Sequence, residues 1–410
     1  MIESKIDFPL LILLTGGVIV LNILIKSRLE RTGLPPLIGY LALGIAIQSA
    51  DIQLEFLSHG GREAFEFLAK IGLITLLFRI GLESNMKGLL RQLRRASIVG
   101  FAGIITSGLM GFFGALYILD LSLITSLIVG TALTATSVGI SVGVWQEAGS
   151  IKSPNGQTLV DVAEIDDIAA VILMALLFTM LPVIRDGAEG SLLSLLAGSS
   201  AFFFLKLIAF GAFCFVFSRL VEPRLTEFFR SIESAPDPML MISGVGFIIA
   251  ALAGLIGFSL AIGAFFAGLV YSRDPQAVNM EGSFLPLYAL FSPFFFIGIG
   301  LNIEPQSIGT ALGLGTILLV IAIVGKILAG VPVLFVRGFS GAVLIGTSMV
   351  PRAEIAMVIM KRGLSLGEWA VPSQVFGAMV MVSGATCIFS PIVVRSLLRR
   401  WPQREVESQQ

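Results

Sequence analysis

Four carboxylates, Asp161, Glu164, Asp166 and Asp167, fall inside a run, 159–178, that is otherwise apolar enough to lie in a bilayer. An acid at that depth costs about 2.5–3.5 kcal/mol on insertion scales, so it marks an ion or proton pathway more often than packing. On a helix Asp166 and Asp167 stand about 100° apart and cannot share one role symmetrically. One can face a cavity while its neighbour meets a cation from another helix. In low-dielectric surroundings a carboxylate holds its proton more tightly than in water, so H⁺ and a monovalent metal ion compete for the same oxygens. The chemistry on offer is ion and proton binding.

The cation must come from elsewhere in the chain. Five of the 27 Lys and Arg residues lie within apolar runs: Lys70, Arg79, Lys206, Lys326 and Arg352. Lys70 and Lys206 are within a few turns of the ends of their runs and are expected to snorkel to the interface. Arg79 precedes Glu83 by four residues, the spacing of a local ion pair. Lys326 stands near the middle of the run 317–334 with no charge within a turn. It needs a carboxylate from another helix or must lose its charge, and Asp166 and Asp167 are the acids available. Arg352 and Glu354 sit at a predicted helix break and are expected to balance one another or Glu164.

The elements that must position these groups follow from composition. Of 410 residues 56 % are hydrophobic and 13 % charged, against roughly 25 % charged in soluble domains. An all-α integral membrane protein is expected. At about 20 residues per crossing, thirteen helices are predicted: 8–25, 34–48, 64–83, 97–118, 121–145, 157–182, 191–218, 238–256, 258–272, 284–302, 308–336, 340–361 and 370–394. Connecting segments on one side carry 17 Lys and Arg residues and those on the other 5. The positive-inside rule then puts the carboxyl terminus in the cytoplasm and the amino terminus outside. The charged residues before Phe8 lack a small-residue cleavage site, so the first run reads as a retained helix. One transmembrane domain, 1–400, is expected, followed by a short cytoplasmic tail, 401–410, with no soluble regulatory domain.

An internal repeat is visible. Phe78–Ser84 resembles Ile297–Ile303, with Gly81 falling on Gly300 at an offset of 219, and the same offset carries Thr134 onto Ala353. The third run corresponds to the tenth and the fifth to the twelfth. A shift of seven crossings inverts one copy relative to the other, which predicts inverted repeats over roughly 34–182 and 258–394. Inverted repeats build transporters whose site lies where broken helices cross. Both members of the second pair are breakable. Thr134–Ser137 is a cluster of small, mostly hydroxylated residues that can bond locally to the backbone, and Pro351 removes an amide and disfavours helix at Val350.

An Asp-Asp pair in the sixth run, Thr-Ala-Thr-Ser at 134–137, the central Lys326 and Pro-Arg-x-Glu at 351–354 together resemble the second monovalent cation:proton antiporter family. The likeness is greatest to its thirteen-helix sodium/proton exchangers, which are related to the membrane domain of glutathione-gated potassium efflux proteins. The resemblance implies a core domain and a dimerisation domain, two discontinuous crossing helices, and a homodimer. It makes Asp167 the main carrier of Na⁺ and H⁺, with Asp166 also at the ion and paired with Lys326 when no sodium is bound. Thr136 and Ser137 complete the site, and charges such as Glu354 balance the opposed half-helix ends; Glu164 and Arg352 are expected as charge partners from their positions alone. Arg79, where an apolar residue is expected, and Glu164, one turn before Asp167, depart from the pattern and bear on ion selectivity.

Three other transport readings remain open. A potassium/proton antiporter of the same family would use the same groups. A channel-like potassium efflux protein would carry a Gln-Asp pair and a soluble nucleotide-binding domain. A sodium-coupled organic solute symporter would not need Lys326 in the membrane centre. No nucleophile–base or metal-ligand spacing points to an enzyme. Cys214 and Cys387 lie in apolar runs and His59 in a Gly-rich loop, so no cofactor is expected. Net charge is zero, which argues against nucleic acid. The partners expected are monovalent cations, protons, the lipid bilayer and a second copy of the chain. The membrane expected is a bacterial inner membrane, with a role in pH homeostasis.

Overall fold

The computed structural model of the chain describes residues 8–32, 34–83, 86–185, 192–232, 238–272, 277–303 and 308–403. Their regular structure is helical throughout. The first nine α-helices are α1 (Phe8–Thr32), α2 (Pro36–Leu54), α3 (His59–Glu83), α4 (Met86–Phe113), α5 (Leu123–Thr134), α6 (Val138–Glu147), α7 (Pro154–Arg185), α8 (Leu192–Val216) and α9 (Glu222–Ile232). There follow α10 (Pro238–Leu255), α11 (Leu260–Tyr271), α12 (Ala277–Gly300), α13 (Ile308–Ala329), α14 (Val331–Ser348), α15 (Glu354–Ser365) and α16 (Ser373–Arg400). Single π-helical segments, Gly114–Ile118 and Phe217–Val221, extend α4 and α8. Among the described residues seven helical stretches are long and apolar enough to cross a membrane, and four shorter apolar helices accompany them.

Several boundaries differ from expectation for identifiable reasons. The runs 121–145 and 340–361 are each divided, at 135–137 and 349–353. The run 308–336 stops at Ala329 because Gly330 and Pro332 close one helix and open the next, Pro332 lying in the first turn of α14 where its missing amide costs nothing. Lys326 therefore lies in the last turn of α13, inside an apolar span that continues to Phe335. α14 itself bends at Gly338, whose φ of 72° suits glycine. The polar helix α9 was not anticipated, since its Glu and Arg content disguises a short helix with one apolar face.

The chain divides into two units. The first comprises residues 1–24, 40–86 and 178–301, and the second 25–39, 87–177 and 302–410. In the first, α3 packs on α11 and α12 backbone to backbone. A Cβ at Gly81 would stand 2.1 Å from the Phe265 carbonyl, and one at Gly268 would stand 2.1 Å from that of Phe78. Small residues at such crossings let helices approach closely enough for dispersion to hold them in lipid. α2 and α12 meet in the same way, a Cβ at Gly300 falling 2.4 Å from the Leu41 carbonyl and one at Gly44 2.2 Å from that of Ile297.

The second unit holds α4 to α6, most of α7, and α13 to α16. Its core gathers Trp145, Leu159, Val162, Leu344, Ile345, Met349 and Val394. Here the 219-residue offset reaches whole helices: Pro154, which opens α7, falls on Ser373, which opens α16. Thr106 of α4 donates to the carbonyl of Gly325 in α13 at 3.2 Å, a contact between two positions that are each other's counterparts.

Candidate ion site

Two helix breaks meet in the second unit. α5 ends because Ala135 turns extended (φ −65°, ψ 139°), and α6 restarts after Ser137 (φ −91°, ψ 88°). α14 ends at Ser348, and the chain runs through Pro351 and Ala353 (φ −138°, ψ −98°) before α15 begins at Glu354. The breaks are bonded together: the Ser137 amide donates to the Pro351 carbonyl at 2.9 Å. Carbonyls released by the break find donors, as buried backbone must. Ser390 Oγ donates to Thr347 O at 3.0 Å, and Arg352 Nη1 to Met349 O at 3.0 Å and Pro351 O at 3.4 Å. Ser141 Oγ donates to Ser348 O, while Trp145 Nε1 donates to Ser348 Oγ at 2.9 Å.

Glu354 occupies the first turn of α15 and accepts from Ser137 Oγ, the residue preceding α6, at 2.6 Å. One carboxylate thereby lies at two helix amino termini, where backbone amides favour negative charge. Arg352 and Glu354 form no ion pair with each other among the described residues. Its fully buried guanidinium donates to Thr136 Oγ1 at 3.3 Å and to the two carbonyls named above. The reason is conformational, since Arg352 precedes the helix on non-helical backbone and its side chain leaves in a different direction from that of Glu354.

Ser153 and Pro154 start α7, the Ser153 hydroxyl accepting from the Gly156 amide at 3.1 Å. Three turns on, Asp166 is fully buried and accepts from Lys326 Nζ at 3.0 and 3.2 Å. Lys326 is fully buried too, and its place in the last turn of α13 sets its charge against the helix dipole's negative end. Asp167 is half-buried and lies, like Asp166, within electrostatic reach of Lys326, while Arg352 is within reach of Asp166. Thr136 and Ser137 are buried at the first break. The side chain of Glu164 lies outside the described residues. In the first unit, Arg79 stacks on the Tyr288 ring, 4.4 Å from its centroid, and the side chain of Glu83 is likewise outside the described residues. Lys70 pairs with Glu66 at 3.1 Å, and Lys206 donates to Ile256 O at 3.2 Å.

Residues 17–400 match the family described as sodium/hydrogen exchanger, transmembrane. The chain belongs to that family. Among curated relatives, the high-affinity Na⁺/H⁺ antiporter NhaS3 of Synechocystis is 28 % identical over 93 % of this chain and 83 % of its own length. The Na⁺/H⁺-K⁺ antiporter GerN of Bacillus cereus is 30 % identical over 89 % of this chain and 90 % of its own. The solved structure of the sodium proton antiporter MjNhaP1 from Methanocaldococcus jannaschii superposes with a TM-score of 0.66 at 15 % identity, covering 95 % of this chain and 97 % of that one. That likeness is one of fold.

Sequence reasoning about this sodium/hydrogen exchanger overlooked the hydroxyls that hold the breaks. Thr386 Oγ1 accepts from the Arg352 amide at 3.1 Å and donates to Val382 O at 2.8 Å. The signal was available, since Thr386 lies 219 residues beyond Asp167. Trp145 gave no comparable sign.

Proposed function

We propose that this exchanger moves Na⁺ in one direction and H⁺ in the other by alternating access, with Asp167 and Asp166 as the cation- and proton-binding carboxylates. The observation that carries the reading is the fully buried Lys326–Asp166 pair beside half-buried Asp167, in the unit where two helix breaks are bonded together. A buried amine is bonded to Asp166, and a cation arriving at the two carboxylates competes with that amine. Asp167, more open, takes up Na⁺ or H⁺. Thr136 and Ser137 would supply oxygens, and Glu354, with the dipoles of the half-helices, would set the local field.

If Lys326 sheds its proton as Na⁺ arrives, two protons move per sodium. Each pH unit then supplies about 1.4 kcal/mol per proton, and the net charge moved gains about 2.3 kcal/mol per 100 mV. The repeats 34–182 and 258–394 would be inverted across the membrane, with the amino terminus outside, the carboxyl terminus cytoplasmic, the protein a homodimer and the membrane a bacterial inner one. Potassium as the exchanged cation is the second reading. It is supported by the likeness to GerN, whose name includes K⁺.

Dequenching of a pH dye in proteoliposomes, with Na⁺, Li⁺ and K⁺ across pH, separates the two. Asp167→Ala is expected to abolish exchange and Asp166→Asn to alter its cation dependence. Exchange surviving in Asp167→Ala would refute the site. Lys326→Gln with unchanged voltage dependence would remove the lysine from the proton count.

A further inference from the structure

Ser107 of α4 is 2 % exposed, and its hydroxyl has no hydrogen-bond partner among the described residues. Serine in an apolar helix ordinarily donates to the carbonyl one turn back. Thr106 holds that position, donating to Ala102 O at 2.7 Å and sharing Gly103 O at 3.3 Å. Burying a hydroxyl without a partner is destabilising, so a function in another conformation is the physical reason to look for.

Its surroundings name that conformation. A Cβ at Gly325 would stand 3.5 Å from Ser107 Oγ, so the hydroxyl lies against the residue preceding Lys326. A Cβ at Gly103, one turn before Ser107, would stand 3.8 Å from Lys326 Nζ. The amine thus lies on α4 about 6 Å along the helix from a hydroxyl that nothing engages. Ser107 is also the counterpart of Lys326 in the other copy, at the 219-residue offset.

We propose that Ser107 is the second seat of the Lys326 amine, occupied when a cation has taken Asp166. The inference rests on the reading of Asp166 and Lys326 given under Proposed function. The lysine swings along α4 from Gly103, which its amine already approaches, and bonds to Ser107 Oγ. A hydroxyl both donates and accepts, so it receives the amine as ammonium or after the proton has left. A carboxylate at this position would hold the ammonium against return. Ser107 acts on transport through Lys326 and is a positioning residue.

Ser107→Ala deletes an atom that bonds to nothing while Lys326 holds Asp166. The melting temperature of the purified protein without Na⁺ is therefore expected to stay at the wild-type value. The Na⁺ concentration that half-saturates thermal stabilisation, and the KM for Na⁺ in proteoliposomes, are expected to rise about tenfold, the worth of one hydrogen bond to a charged group. In a Lys326→Met background Ser107→Ala is expected to add nothing further, the signature of coupled residues. A wild-type Na⁺ dependence in Ser107→Ala, or the same shift with and without Lys326, would overturn the inference while leaving the ion site intact. A wild-type Na⁺ dependence in Lys326→Met would overturn the reading beneath it as well.

Discussion

Shifting the chain by 219 residues carries Asp166 and Asp167 of α7 onto Ala385 and Thr386 of α16, and Ser107 of α4 onto Lys326 of α13. The contact between α7 and α13 is a buried acid bonded to a buried amine. The matching positions on α16 and α4 hold a methyl group and an unbonded hydroxyl. Where the first copy places Asp167, the second places Thr386, whose hydroxyl is engaged by the Arg352 amide and the Val382 carbonyl. The same backbone plan thus carries charge at the α7–α13 contact and none at the matching positions of α16 and α4. A second charged pair would add another desolvation cost of several kcal/mol per ion and a second place for cargo to rest.

The sharpest way to break this contrast is to remove the equivalent group from each copy. Asp167→Asn is expected to abolish exchange. Thr386→Val is expected to keep exchange while losing about 1–3 kcal/mol of stability, since the Arg352 amide is left unpaired. Flux in proteoliposomes and melting in detergent measure the two. Equal loss of flux would erase the distinction between charge and scaffold. Next in size, Lys326→Met leaves Asp166 buried without its partner and should cost about 3–5 kcal/mol. Adding Asp166→Leu should restore most of that in the same melting assay, and failure to do so would mean the pair matters for more than its own compensation. Ser137→Ala removes the hydroxyl that Glu354 accepts from and should cost about 1 kcal/mol, Glu354 being partly solvated. The smallest effect belongs to Ser383→Ala in α16. Ser383 is the counterpart of Glu164 and has no hydrogen-bond partner among the described residues, so its loss should change the melting free energy by less than about 0.5 kcal/mol.

The sequence displayed the acids and Lys326 plainly because charge in apolar runs is rare for energetic reasons. It offered Lys326 two adjacent acids, and the geometry pairs it with Asp166. Helical spacing alone cannot make that choice, because it depends on how α7 is rotated against α13. The breaks were legible at Thr134–Ser137 and Pro351, where local chemistry opposes helix. The end of α13 was hidden by the apolar residues 331–335 that continue past it, although Gly330 and Pro332 mark the stop. Of the two balances offered for Arg352 and Glu354, the ion pair between them does not form among the described residues, and the one with Glu164 falls on a side chain outside them. Thr386 was invisible for another reason. A hydroxyl in an apolar helix has many ordinary uses, and only tertiary structure distinguishes a bond to a broken helix from a bond to its own.

Trp145 has one practical consequence. Of the three tryptophans it alone is fully exposure-free, and its indole donates to the final residue of α14. With Trp369 and Trp401 replaced by phenylalanine, its emission would come from a single fluorophore built into the second break. Rearrangement of that joint during a transport cycle could then be followed by light, in unlabelled protein.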